Sequence, residues 1–143
     1  MFIIEDLDMR QWAEVIRNAP NDKEMLETVP EDILFRYIDE CTKHISGPKF
    51  HNDPAADEVV VLVILQNGEH YIVDFMEHYK RLGVKHFYFL DNGSTDRTIE
   101  FLSNYIGVSI YKTELTYRKF WNLFKRFLLE KFAERKWALV VDI

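Results

Sequence analysis

Apolar positions set the first division of the chain. Up to about residue 46 they recur at helical spacing, beginning with Ile3, Ile4, Leu7, Trp12, Val15 and Ile16, and this region reads as helical. The run Asn18-Ala19-Pro20-Asn21-Asp22 interrupts it. A second helix is expected after Pro30. Glu31 and Asp32 suit its positive end, and Ile33, Leu34, Tyr37, Ile38 and Cys41 form its apolar face. Gly47-Pro48 closes it, and residues 47–57, with two prolines, read as a linker. The texture then changes. Residues 59–65 are a continuous Val, Ile and Leu run, the pattern of a strand covered on both faces. Helical spacing returns over residues 69–82, with Gly83 where a C-terminal cap belongs. Residues 85–90 predict a strand. Thr95 or Asp96 is expected to cap a helix running to about residue 106. Residues 108–111 predict a short strand, 117–135 a long helix with Phe120, Phe124, Phe127, Leu128 and Phe132 on one face, and 137–143 a last strand.

The order after the linker is therefore β-α-β-α-β-α-β, which predicts an α/β domain with a mainly parallel sheet and helices on its faces. The chain divides into a helical N-terminal segment with linker, residues 1–57, and an α/β region, residues 58–143. Charge follows that division. The net charge is −6, but residues 1–58 carry 14 acidic and 6 basic side chains, and residues 59–143 carry 10 and 12. The whole chain is unsuited to general nucleic-acid binding, whereas the α/β region can host a phosphate ligand. The single cysteine, Cys41, excludes an intrachain disulfide and a Cys-based zinc site, and points to a reducing, cytoplasmic location. No apolar run is long enough for a membrane span. The last strand is apolar throughout, so self-association through it is expected.

In open α/β sheets, ligands sit beyond the carboxyl ends of the strands. The first strand is followed by Gln66-Asn67-Gly68-Glu69, the second by Asp91-Asn92-Gly93-Ser94-Thr95-Asp96, and the last reaches Asp142-Ile143. Carboxylates and carboxamides thus collect at three of four strand ends. None of the five glycines falls in a G-x-G-x-x-G or Walker A spacing, and no Gly-x-Ser-x-Gly turn occurs. A nucleotide here would be held by side chains. Asp91 to Asp96 taken alone also fits an ordinary strand-to-helix turn, and Asp96 is assigned to capping. Arg118, Lys119, Lys125 and Arg126 fit a solvated basic face. A sharper possibility places Arg118 or Lys119, near the helix start, on a diphosphate.

The two loops, the Leu82-Gly83-Val84 spacing and the segment Trp137 to Asp142 together resemble the opening of a glycosyltransferase family 2-like domain, over about residues 58–143. That resemblance implies a Rossmann-like GT-A half-domain that binds a nucleotide-diphosphate sugar, uridine- or guanosine-linked. It implies that Asp91 accepts hydrogen bonds from base or ribose, with Asn92 beside it and Asn67 and Glu69 bordering the pocket. It makes Asp142 the first acid of a D-x-D pair, reaching ribose or a Mn²⁺ or Mg²⁺ ion that bridges the phosphates. The first loop departs from the pattern at Gln66 and Gly68. The second acid of the pair, the acceptor-binding half and any catalytic base would all lie beyond Ile143. No catalytic residue is assigned, and the chain is expected to bind rather than transfer. The alternative is a non-catalytic nucleotide- or protein-binding α/β module.

Overall fold

The computed structural model describes residues 7–49, 58–134 and 136–143. Ile3 and Ile4, most of the linker and Arg135 lie outside the described residues. Three helices come first: α1 (Met9–Asn18), α2 (Asp22–Thr28) and α3 (Glu31–Glu40). The first is capped reciprocally. The Asp8 carboxylate accepts from the Gln11 N–H while the Gln11 side chain accepts from the Asp8 N–H. Strand β1 (Thr42–Ser46) follows, then β2 (Val59–Leu65), α4 (Ile72–Arg81), β3 (His86–Asp91), α5 (Thr98–Leu102), β4 (Val108–Thr113), α6 (Tyr117–Phe132) and β5 (Trp137–Asp142).

The five strands form one sheet in the order β1-β4-β3-β2-β5. Strands β2 to β5 are mutually parallel, and β1 runs antiparallel on β4. The alternation of helices and strands sorts the core into two layers. Val61, Val63, Leu65, Phe87, Phe89 and Ile110 pack with Ile72 and Met76 of α4 and Leu102 of α5. Val60, Leu62, Ile64, Tyr88, Leu90 and Tyr111 face the opposite way, against the phenylalanines of α6. Trp12, Ile16, Met25, Leu34 and Ile38 of α1 to α3 complete this second layer, so the N-terminal helices share a core with α6.

Three expectations need correction. Residues 42–46 are strand β1, not the end of a helix. Thr42 and Ile45 are β-branched, and the open edge of β4 offers a hydrogen-bonding partner no local pattern reveals. Helix α5 stops at Leu102 instead of continuing to residue 106. Ser103 Oγ donates back to Ile99 O at 2.7 Å and Asn104 Nδ2 to Glu100 O at 3.3 Å, and such side-chain bonds compete with helix continuation. Helix α4 starts at Ile72, because Glu69 is engaged with the neighbouring loop.

Candidate functional site

Sheet order fixes where the site falls. From β2 the chain moves through α4 to β3 and on to β4, on one side of β2. It then crosses by α6 on the other face to reach β5, on β2's far side. The direction of winding reverses at β2, and a crevice opens where connections on either side diverge. Register brings the strand ends level there: Leu65 lies beside Asp91, and Ile64 beside Asp142. A cavity of about 230 Å³ occupies the crevice. It is lined by Ile64 and Leu65 of β2 and Gln66 just after it, Asn92 after β3, Tyr117 at the start of α6, Asp142 at the end of β5 and Ile143 just after it.

A larger cavity, about 840 Å³, lies at the opposite rim, among the amino ends of β3 and β4. It borders Pro48, where the described chain leaves off at residue 49, and it lies away from the strand ends that carry the acidic and amide groups. The smaller cavity is the site candidate because topology and polar chemistry coincide there.

The loops behind it are laced together. Asn67 takes a left-handed backbone, φ 54°, which asparagine tolerates better than most residues. This turns its N–H onto Ser94 Oγ at 2.8 Å, and its carbonyl Oδ1 accepts from the N–H groups of Thr95 at 2.7 Å and Asp96 at 3.3 Å. The Gly68 N–H donates to Thr98 Oγ1 at 2.8 Å, and the Glu69 N–H to Asp96 Oδ2 at 3.1 Å. Glu69 Oε2 in turn accepts from the Arg97 N–H at 2.9 Å. Asp96 also accepts from the Thr98 N–H at 3.0 Å.

Asp91 is fully buried, 0% exposed. Its Oδ2 accepts from the Ser94 and Gly93 N–H groups at 2.9 and 3.2 Å, and its Oδ1 accepts from the Ser94 hydroxyl. It stands behind the cavity wall and is not among the lining residues. Asn92 does line the cavity. Its Nδ2 donates to Leu115 O at 2.7 Å and Thr113 O at 3.2 Å, anchoring the turn into α6.

The structure therefore divides the residues picked from sequence. Asn92 and Asp142 meet at the cavity; Asn67, Glu69 and Asp91 build the loops that shape it. Lys119 goes elsewhere. Its ammonium donates to Ile16 O at 2.7 Å and Arg17 O at 3.1 Å, capping the C-terminal end of α1, and burial pulls its pKa below the ordinary lysine value. The ammonium expected on a diphosphate is held by the carbonyls of α1, and Lys119 is not among the residues lining the cavity. The cation at the rim is Lys125, read from sequence only as part of a solvated face. Its Nζ lies 3.2 Å from Asp142 Oδ2. Helical spacing places Lys125 in line with Tyr117, but its pairing with Asp142 depends on the β4-to-β5 crossover.

Asp142 is half exposed. Among the described residues no cluster of three or more His, Cys, Asp or Glu side chains could hold a metal ion. An ion at Asp142 would take one carboxylate from these residues, and phosphate and water oxygens would complete its shell. This fits Mg²⁺-type binding, which commonly uses one or two carboxylates with substrate phosphates.

The model of glycosyltransferase family 92 matches residues 62–133, half of the chain. The match takes in both laced loops, Tyr117 and Lys125, and stops before β5. No curated protein and no solved structure matches the chain.

Proposed function

The chain belongs to glycosyltransferase family 92, and from that premise we propose that it forms the donor-binding half of a GT-A-type transferase, holding a uridine- or guanosine-diphosphate sugar at the β2/β5 crevice. Glycosyl transfer is the chemistry of the family. The family 2-like resemblance holds as far as glycosyltransferase, and the family matched is family 92.

One observation carries it. Winding reverses where an amide, Asn92, a phenol, Tyr117, and a carboxylate, Asp142, line one cavity. At about 230 Å³ this cavity is below the roughly 300–1,000 Å³ usual for small-molecule sites. It suits the nucleoside end of a donor, with diphosphate and sugar lying across the open rim. The Tyr117 ring offers a face on which a base can stack, the Gln66 amide offers a donor and an acceptor to its polar edge, and Asn92, whose Nδ2 is spent on Thr113 O and Leu115 O, offers its Oδ1 as an acceptor. Asn67, Glu69 and Asp96 keep the two loops in register beneath the ligand. Asp142 would hold Mn²⁺ or Mg²⁺, which supplies charge neutralisation of the leaving diphosphate.

The test is thermal denaturation with uridine or guanosine diphosphate, with and without Mn²⁺. A bound nucleotide at a hundredfold excess over Kd stabilises by about 2.7 kcal/mol. We expect a shift with one of the nucleotides, and loss of its Mn²⁺-dependent part in Asp142→Asn. No shift with either nucleotide overturns the proposal. Nucleotide binding without sugar transfer would favour the alternative, a non-catalytic binding module, for which the single cavity carboxylate speaks.

A further inference from the structure

We infer that Lys125 is the residue that meets the donor's diphosphate, and that Asp142 holds its ammonium at the rim until the donor arrives; this rests on the donor-binding reading above. Tyr117, Trp121 and Lys125 stand at i, i+4 and i+8 on α6, and so form one stripe along the helix. The stripe begins in the cavity wall at Tyr117 and ends at the ion pair with Asp142. A ligand whose base reaches the cavity would extend its phosphates along that stripe.

Three other cations of the helix are committed elsewhere. Lys119 caps α1, Arg126 pairs with Glu31 at 3.1 Å, and Lys131 pairs with Asp39. Lys125 is bound in a way that lets it go. Its side chain is 30% exposed and that of Asp142 50%, and ion pairs with this much solvent contribute little. Its ammonium also lies 5.2 Å from the centroid of the Trp121 ring, which steadies the chain near the rim. A diphosphate carries more charge than one carboxylate and presents several acceptor oxygens. A lysine on a flexible four-carbon stem can exchange the one for the other without backbone movement.

The experiment measures affinity for uridine diphosphate and for uridine in wild type, Lys125→Met, Lys125→Arg and Arg118→Ala, at low and high salt. Guanosine diphosphate and guanosine replace them if that is the base accepted. Methionine keeps the apolar stem over Trp121 and removes only the charge. Lys125→Met should weaken diphosphate binding about tenfold, the size of one charge-assisted hydrogen bond. It should also flatten the salt dependence and leave the nucleoside affinity unchanged, while Lys125→Arg retains most of the binding. Arg118, exposed beside Tyr117, is the rival cation. If Arg118→Ala takes the salt dependence and Lys125→Met does not, the inference is overturned. It is also overturned if Lys125→Met weakens nucleoside and diphosphate equally, because the effect is then structural. Failure of wild type to bind either diphosphate removes the donor reading and this inference together. Wild-type binding with an unchanged Lys125→Met removes this inference alone.

Discussion

At the scale of single residues, the polar groups of the two loops work mostly on each other. Asp96 shows how. Burial by itself would raise its carboxyl pKa, but hydrogen bonds from the Thr98 hydroxyl, the Thr98 N–H and the Glu69 N–H outweigh that effect and hold it below the ordinary 3.8. A carboxyl with a lower pKa folded than unfolded contributes stability that is present above about pH 3.8 and is lost as pH falls through the folded value. Asp96→Asn preserves size but turns an NH₂ toward N–H or O–H donors that need an acceptor. It should destabilise the protein by roughly 1–2 kcal/mol near neutrality. The gap to wild type should narrow on acidification through the carboxylate range, as followed by melting temperature. A gap that ignores pH would mean that the carboxylate charge is not what ties the loops. The sequence drew attention to these loops because amide and acid residues beyond strand ends are visible as letters. It could not divide them into cavity wall and scaffold. Asp91 and Asn92 are adjacent, yet one is buried under its own turn while the other faces the crevice. Only the turn geometry separates them.

Among elements, the informative junction is that of α1 with α6. Lys119 crosses it to two carbonyls at the end of α1, where partial negative charge collects. Lys119→Met should leave Arg17 O without the ammonium and Ile16 O with only the Ala19 N–H at 3.3 Å, and cost roughly 1–3 kcal/mol, read as a lower urea midpoint, with nucleotide affinity unchanged. Loss of affinity at an unchanged midpoint would reverse the assignment and restore a phosphate role. The sequence revealed the elements well where burial imposes a clean period. Strand β2 and helix α6 are examples, each apolar on every face or stripe that the core covers. It failed where a partner distant in sequence decides. Thr42 to Ser46 become a strand only because β4, some seventy residues on, presents an open edge. The Lys119 contact has the same origin, across a separation of 103 residues.

At the scale of the molecule, the sheet's two edges differ in a way that governs its behaviour in solution. The β1 edge carries exposed Lys43 and His44, charged and polar groups of the kind that discourage edge pairing. The β5 edge carries Trp137, 72% exposed, and Leu139, 41% exposed. Register sets both on the α4 side of the sheet, next to Val59 and Val61 of β2. Among the described residues no strand pairs with the outer edge of β5. Unsatisfied backbone groups beside large apolar side chains favour joining another strand. The 143-residue chain should therefore associate as concentration rises, which sedimentation velocity will detect. Leu139→Lys puts a charge at the middle of that edge, where a second copy would place its own apolar strand, and should shift the population toward monomer. Leu139 points away from the α6 side that holds Asp142 and Lys125, so nucleotide affinity should survive the change. A wild-type chain that stays monomeric at every concentration would show that the exposed tryptophan and leucine do not recruit a partner strand. Equal association of the variant would place the contact on another surface.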